Sequence, residues 1–186
     1  MLSRLFALSL TLLVSFLGGC FDEAFDLTEA ADLTSPKEYN LNQIFFNYPK
    51  NWEISVDTST TAIHNLFLET QGEAMVIYQS YPLDMADDLN TFSKTFSESA
   101  QTETSIGEIS QSELKTIPEE AGFEGIEETF EISIFGVSVP HKRIFLSKKI
   151  NDRQVFLIYQ VAIEDHPKTY PGFNLIKETL KKSERS

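Results

Sequence analysis

Histidines and glutamates are the residues of this sequence that could support metal or acid–base chemistry. The histidines are His64, His141 and His166, and long intervals separate them. None makes the i, i+4 pair that places two imidazoles on one helix face for a metal ion. His141 follows Pro140 near a predicted strand start, and His166 precedes Pro167 in a predicted loop. We therefore expect ordinary surface histidines and no metal site.

Glutamates concentrate between residues 113 and 131. They are Glu113, Glu119, Glu120, Glu124, Glu127, Glu128 and Glu131. Carboxylates could hold a hard cation such as calcium or manganese. Alternation along a strand points Glu127 and Glu131 away from Ile126, and Glu128 points to the opposite side, so the carboxylates cannot all converge. The pattern favours a solvated acidic face, with a basic partner or a cation as the alternative.

Motifs for covalent or phosphoryl chemistry are absent from the sequence. No Gly-x-Ser-x-Gly elbow presents a nucleophilic serine, and no glycine-rich loop could cradle a phosphate. We expect Phe92, Phe96, Phe130 and Phe156 in the core, and Trp52 partly exposed beside a turn without a ligand-binding role. The sequence predicts that the protein is not an enzyme, with no catalytic residue and no cofactor.

The single cysteine, Cys20, has the most specific predicted chemistry. Arg4 gives a short basic start, residues 5–17 are mostly apolar, and Gly18 and Gly19 are small enough for a peptidase cleft. This shape is typical of a secretory signal, and the stretch FLGGC resembles a bacterial lipobox. The resemblance implies that Cys20 becomes the first mature residue and carries a diacylglyceryl thioether and an acylated amine. Two or more acyl chains would tether the protein stably to a membrane.

Two other interpretations of the N-terminal segment remain open. Its apolar run approaches the ~20 residues of a membrane-spanning helix, so an uncleaved anchor is one of them. An ordinary secretory signal that ends beside a cysteine by chance is the other. With Cys20 lipidated, the second mature residue is Phe21, not the aspartate that resembles an inner-membrane retention signal. In a host with two membranes we therefore expect the periplasmic leaflet of the outer membrane.

The formal net charge of -13 limits the partners of the protein. Such a surface repels nucleic acid and anionic lipid headgroups. With Cys20 lipidated, no cysteine remains for a disulfide or a metal ligand, so stability must come from the core. The sequence predicts a signal peptide over residues 1–19, an acidic tether over 20–38 that is transiently helical around 24–33, and one monomeric domain over 39–186.

The first half of the predicted domain contains two hairpins and a helix. Residues 43–48 and 52–56 alternate on either side of a Pro-Lys-Asn turn, which predicts the first hairpin. Residues 63–69 and 74–81 flank a turn with a glycine that can adopt positive φ, which predicts the second. Over residues 84–102 the period changes to that of an amphipathic helix. Its apolar positions are Leu89, Phe92, Phe96 and Ala100, and Asp87 and Asp88 are expected in its first turn.

The second half is predicted to be a meander followed by a closing helix. Strands are expected over residues 106–117, 126–134, 139–149 and 154–163. The last strand is apolar in both registers, so it should be central and covered on both sides. A helix that starts near Pro171 should bury Phe173, Ile176 and Leu180. An antiparallel sheet with helices on both faces, an α+β fold, satisfies all of these faces.

This order of elements resembles a known superfamily. The segments that carry the resemblance are FFNYPKNW, DDLNTFSKTF, RQVFLIYQVAI and FNLIKETL. Over residues 39–182 the chain is similar to the PsbP-like α/β/α sandwich superfamily, and within it to the DcrB-type bacterial lipoproteins. The superfamily includes photosystem II extrinsic subunits, a Ran-binding import factor, mycobacterial envelope lipoproteins and chaperones for secreted toxins. The resemblance implies a structural role for Tyr48, Pro49 and Trp52 and supplies no catalytic residue set.

The sequence favours a lipid-anchored envelope protein that acts as a noncatalytic protein-binding or adaptor module. The protein partner in the envelope is not identified by the sequence. The alternative is a periplasmic carrier or chaperone for an apolar ligand or lipid, which requires a gap lined by residues such as Phe92, Phe96, Tyr159 and Phe173. A hydrolase would need convergent polar residues that the sequence does not display.

Overall fold

The computed structural model describes residues 28–103 and 107–183, so Cys20 and the predicted signal peptide lie outside the described residues. Most of the described chain is β-strand. The strands are β1 (Lys37–Leu41), β2 (Ile44–Tyr48), β3 (Glu53–Ser59), β4 (His64–Glu69), β5 (Met75–Pro82), β6 (Glu108–Glu120), β7 (Phe123–Ile134), β8 (Val137–Ile150), β9 (Arg153–Ala162) and β10 (Lys181–Lys182). The helices are α1 (Leu89–Glu103) and α2 (His166–Thr179), and a 3-10 turn at Ile163–Asp165 precedes α2. The predicted α+β fold of mostly antiparallel strands with two helices is confirmed.

The strands form two antiparallel sheets. The large sheet has seven strands in the order β3-β4-β5-β9-β8-β7-β6, and the small sheet has the order β1-β2-β10. The middle strand, β9, is apolar in both registers, and Phe156, Leu157, Ile158 and Tyr159 are each at most 1% exposed. A strand of this kind is stable only with strand neighbours and cover on both faces. The prediction of a central, doubly covered strand is confirmed.

The predicted second hairpin and the meander are also confirmed. β4 pairs with β5 from the His64–Ser80 pair to the Glu69–Met75 pair, and Gly72 in the connecting turn has a φ of 120°. β6, β7, β8 and β9 pair in sequence order. Local turn chemistry and alternation were therefore sufficient to predict these neighbours.

The predicted first hairpin is wrong. β2 pairs with β1 and β10, whereas β3 pairs with β4, so the two segments belong to different sheets. The turn between them does form, with the Trp52 amide donating to the Pro49 carbonyl over 3.1 Å. Trp52 is 0% exposed, and the prediction of partial exposure is wrong. A Cβ added at Gly172 of α2 would lie only 2.7 Å from Trp52 Cζ2. Because glycine has no side chain, the helix can approach the indole closely and bury it.

The start of α1 is set by Asp88. The Thr91 amide donates to Asp88 Oδ1 over 3.0 Å, and the Phe92 amide donates to the Asp88 carbonyl over 2.9 Å. The bond from Phe92 is the first bond of the helix, and the Asp88 side chain caps the Thr91 amide, which has no partner within the helix. The predicted helix is confirmed, but it begins at Leu89, so Asp87 and Asp88 precede its first turn instead of lying in it.

The closing helix, α2, begins earlier than predicted. Its first residue is His166, which was expected in a loop, and Pro167 lies at the start of the helix while Pro171 lies inside it. Proline is favoured at a helix start because its missing N–H needs no partner there. Phe173 and Ile176 are buried as predicted.

Two clusters of apolar side chains pack against the large sheet. The cluster under α1 contains Ile77, Leu89, Phe92, Phe96, Ile126, Phe145, Phe156 and Ile158. The other cluster joins Phe173 and Ile176 of α2 to Leu157, Tyr159 and the small sheet. All four aromatic residues that were expected in the core, Phe92, Phe96, Phe130 and Phe156, are buried.

The described chain begins with an extended segment that is bonded to the rest of the fold. Residues 28–36, part of the predicted tether, contain no helix. The Glu29 amide donates to the Gln71 carbonyl, Thr28 Oγ1 donates to Asp165 Oδ2 over 2.7 Å, and Ala31 packs against the apolar cluster under α2. Contacts between the tether and the domain therefore reach back at least to Thr28. Within residues 28–103 and 107–183, no helix is long and apolar enough to cross a membrane.

Candidate functional site

Two of the three histidines are buried, which corrects the expectation of surface histidines. His64 is 3% exposed and His141 is 4% exposed. His141 lies over the Phe130 ring with 5.6 Å between the ring centres, and its Nδ1 lies 2.9 Å from the Val139 carbonyl. Within the described residues, no three His, Cys, Asp or Glu side chains are grouped so that they could hold a metal ion. His64 and His141 are therefore both packed inside the fold, in different places.

His64 belongs to a polar cluster that joins the two sheets, which we call the histidine cluster: Tyr39, Asn42, Asp57 and His64. His64 Nε2 lies 3.1 Å from Asp57 Oδ1, and the Tyr39 hydroxyl donates to Asp57 Oδ2 over 2.9 Å. Asn42 Nδ2 lies 3.4 Å from His64 Nε2. Tyr39 lies on β1 and Asn42 in the β1–β2 turn, both in the small sheet. Asp57 lies on β3 and His64 on β4 of the large sheet, so these contacts join the two sheets.

The histidine cluster has the residue types of a catalytic dyad but not its arrangement. A Ser-His-Asp triad holds the carboxylate and the nucleophile on different ring nitrogens. Among the described residues, the contacts with Tyr39, Asn42 and Asp57 all reach His64 Nε2. Burial lowers the pKa of His64, and the Asp57 carboxylate opposes that shift. Burial and the hydrogen bond to Asp57 raise the pKa of Tyr39. At pH 7 the His64 imidazole is therefore neutral and the Tyr39 phenol is protonated.

A second polar group lies between α1 and the large sheet, and we call it the ionic cluster: Ser97, Ser112, Glu128, Arg143 and Gln160. Glu128 is 0% exposed and Arg143 is 1% exposed. Glu128 Oε2 accepts hydrogen bonds from Arg143 Nη1 at 2.5 Å and from Ser97 Oγ at 2.8 Å, and Oε1 accepts from Ser112 Oγ at 2.6 Å. Arg143 Nε and Nη2 donate to Gln160 Oε1 over 2.9 and 2.6 Å.

The sheet register explains why these charges meet. Glu128 is the cross-strand partner of Arg143, and Arg143 is the partner of Gln160 on β9. Directly opposed residues point to the same face, so the three side chains form a row under α1. The guanidinium carbon lies 4.5 Å from the centre of the Phe130 ring and 5.2 Å from that of Phe96. Burial lowers the pKa of Arg143, and Glu128 opposes that shift, so the arginine stays charged.

The ionic cluster corrects one part of the predicted acidic face. Glu128 is not solvated, although its position between Ile126 and Phe130 in the alternating pattern was the signal for a buried site. The other glutamates do not converge: Glu127 pairs with Lys142 at 3.0 Å, and Glu120 accepts a bond from the buried Lys177 at 2.6 Å.

A shallow polar pocket of about 680 Å³ lies near the start of α1. Its charged side chains have both signs, and they are Asp87, Asp88, Glu119, Glu124, Lys148 and Lys149. Lys148 donates to the Ala121 carbonyl over 3.0 Å and lies 5.0 Å from the centre of the Phe123 ring.

Comparison with solved structures identifies the fold. The chain is similar to the solution structure of the cyanobacterial PsbP protein CyanoP from Synechocystis sp. PCC 6803, with a TM-score of 0.51 and 9% sequence identity over 89% of this chain and 98% of that chain. The fold is therefore PsbP-like, as predicted. An identity of 9% relates the folds alone.

Two other solved structures are similar at lower scores. LpqN, involved in cell envelope biogenesis of Mycobacterium tuberculosis, has a TM-score of 0.40 at 11% identity over 80% of this chain and 92% of that chain. PA94 from Pseudomonas aeruginosa, a putative regulator, has a TM-score of 0.38 at 12% identity over 77% of this chain and 94% of that chain. Because both TM-scores are below 0.5, we infer nothing about this protein from these two structures. No protein-family profile and no curated protein matches the sequence.

Proposed function

We propose that this protein is a lipid-anchored, noncatalytic module of the bacterial cell envelope that binds a protein partner. The observation that carries the proposal is that the polar groups best suited to chemistry are used inside the fold. His64, Glu128 and Arg143 are shielded from solvent and bonded to neighbouring strands. A catalytic acid or base must instead reach a substrate.

Membrane attachment is the part of the proposal that rests on sequence. The lipobox-like FLGGC stretch supports a covalent lipid on Cys20, and the resemblance to DcrB-type lipoproteins points the same way. Phe21 at the second mature position favours the periplasmic leaflet of the outer membrane in a host with two membranes. A covalent lipid would hold the fold at the membrane without a spanning segment.

The packing disfavours the alternative function of an apolar-ligand carrier. That function requires a gap between helix and sheet, lined by Phe92, Phe96, Tyr159 and Phe173. Phe92 instead stacks on Phe156 with 3.8 Å between ring centres, and Tyr159 stacks on Phe173 with 4.7 Å. Because the rings touch one another, we propose a closed core and a function that uses the outer surface.

We also propose that α1 and α2 cover opposite faces of the large sheet. Neighbouring residues on a strand point to opposite faces. On β9, Phe156 packs with Phe92 of α1, whereas Leu157 belongs to the cluster of Phe173 in α2. This arrangement is the α/β/α sandwich of the PsbP-like superfamily.

The edge strands indicate how a partner would bind. β6 ends the large sheet, its register is interrupted between Ser110 and Glu113 and again between Ile117 and Glu120, and it contains Pro118. β3, at the other edge, has an irregularity between Ile54 and Val56. Bulges and proline at an edge hinder the addition of a further strand. We therefore propose that the partner meets side chains on the acidic surface of β6, such as Glu113, and does not extend the sheet.

Site-specific crosslinking in the envelope tests this function. A photoreactive residue replaces Leu114 on β6, which is 39% exposed, or Leu83 after β5, which is 44% exposed and serves as the matched control. We expect a stoichiometric protein adduct from position 114 alone, weakened by Glu113→Lys. Co-purified lipid without a protein adduct would favour the carrier function. Mass spectrometry of Cys20 and of Cys20→Ser tests the anchor separately.

A further inference from the structure

The turn between β7 and β8 forms an exposed apolar tip, which we define as residues 132–139. Its sequence is ISIFGVSV, without a charged residue, in a chain with a formal net charge of -13. Phe135 is 88% exposed and Val137 is 60% exposed. Ile132, Ile134 and Val139 are partly buried. An exposed apolar group of this kind indicates a surface that contacts another apolar phase or molecule.

The backbone of the tip adds a second observation. Ile134 and Val137 are the last pair of the hairpin, and Phe135 and Gly136 between them have φ angles of 50° and 82°. Two positive φ angles define a type I′ turn, in which asparagine, aspartate or glycine normally occupies the first position. A bulky side chain is disfavoured there. Phe135 therefore places a large apolar side chain, most of it exposed, at a backbone position that suits asparagine or glycine better.

The tip leaves the sheet at the same end as the start of the described chain. The Glu29 amide donates to the Gln71 carbonyl over 3.2 Å, so the segment from Thr28 lies beside the β4–β5 turn. Glu73 in the same turn lies 3.8 Å from His141 Nε2 on β8. His141 is close to the tip along β8, so Thr28 and Phe135 lie at one end of the molecule.

Chain length relates this end to the predicted anchor. His141 pairs with Ala162, the last residue of β9. From His141, β8 extends four residues further to Val137, which places the tip about 13 Å beyond the end of β9 at about 3.3 Å per residue. The eight-residue step from Cys20 to Thr28 spans at most about 29 Å. A lipid on Cys20 would therefore hold this end of the fold close to the bilayer, with the tip projecting from it.

We propose that Phe135 and Val137 insert into the interfacial layer of the membrane that holds Cys20. This contact rests on the anchoring part of the proposed function. Apolar residues at a surface bind to the boundary between headgroups and acyl chains, and the uncharged tip requires no anionic lipid. The negative net charge of the chain favours a zwitterionic lipid surface over an anionic one. The tip and the lipid together fix which end of the domain faces the membrane and leave the start of α1 facing away.

Tryptophan fluorescence of the full chain, matured in cells and reconstituted into phosphatidylcholine vesicles, tests the contact. Phe135→Trp places the probe at the tip. Leu83→Trp is the matched control, because Leu83 is 44% exposed and its amide donates to Asp152 in the β8–β9 turn at the opposite end. Trp52 is fully buried and contributes a constant background, which is measured in the unsubstituted protein.

We expect the emission of Phe135→Trp to shift to shorter wavelength and to be quenched by brominated acyl chains several-fold more strongly than that of Leu83→Trp. Equal quenching of the two variants, or none at the tip, would overturn the proposal. A shift to shorter wavelength without quenching would indicate contact with protein and would also overturn it. Mass spectrometry of the same samples separates the two proposals, since an unlipidated Cys20 refutes the anchor, whereas a lipidated Cys20 with an unquenched tip refutes the insertion alone.

Discussion

Glu128→Gln is expected to destabilise the fold because it leaves the buried charge of Arg143 without its counterion. Two unit charges about 4 Å apart attract by about 4 kcal/mol at an effective dielectric constant of about 20. Measured losses on breaking one partner of a buried pair are about 3–5 kcal/mol, which agrees with that figure. The Phe96 and Phe130 rings and the Gln160 carbonyl remain close to the guanidinium, but these contacts already exist and cannot replace the carboxylate.

Urea unfolding followed by the fluorescence of buried Trp52 measures this loss. The matched control is Glu127→Gln, one residue away on the opposite face of β7. Glu127 pairs with Lys142 at 3.0 Å, but the two side chains are 28% and 23% exposed. Pairs that water still reaches contribute about 1 kcal/mol or less. Similar losses for Glu127→Gln and Glu128→Gln, or a loss below about 1 kcal/mol for Glu128→Gln, would refute the reasoning.

A double substitution separates the charge from the space that it fills. Glu128→Leu combined with Arg143→Met removes both charges and keeps apolar volume under α1. Replacing a whole buried pair by apolar residues is often neutral or stabilising, so the double variant should be more stable than Glu128→Leu alone. If the double variant is the less stable one, the ionic cluster stabilises the fold through its hydrogen bonds with Ser97 and Gln160 and not through its charges.

Three further outcomes are expected from the same unfolding assay. Phe156→Ala should cost about 3–5 kcal/mol, because its ring is buried and stacks on Phe92, and a loss below about 1 kcal/mol would contradict the packing. The pKa of His64 is lowered in the fold, so the unfolded chain binds a proton at His64 more readily, and the free energy of unfolding should decrease as the pH falls below 6.5. His64→Gln should reduce this pH dependence. Part of it should remain, because the pKa of His166 is also lowered in the fold. Phe135→Asn should raise the free energy of unfolding by about 1 kcal/mol, since asparagine tolerates positive φ, and a decrease would argue against strain at the tip.

Short-range patterns in the sequence determined much of this fold. The two apolar registers of residues 154–163 placed β9 at the centre, and the spacing of Leu89, Phe92, Phe96 and Ala100 predicted the buried face of α1. The β4–β5 hairpin followed from alternation around Gly72. These features depend on periodicity and turn chemistry within a few residues, which a sequence displays directly. The prediction for Cys20 also comes from local sequence.

Other features required the tertiary structure because they depend on which distant segments meet. The Pro49 turn is local, but the sheet that each flanking strand joins is not decided by that turn. β2 pairs with β1 and with β10, which lies near the other end of the described chain, whereas β3 pairs with β4. His64 and Glu128 were both predicted to lie at the surface, although alternation placed Glu128 on an apolar face of its strand. A polar side chain is buried only where partners such as Arg143 or Asp57 satisfy it. Those partners are brought into range by strand register, which arises from the packing of the whole sheet.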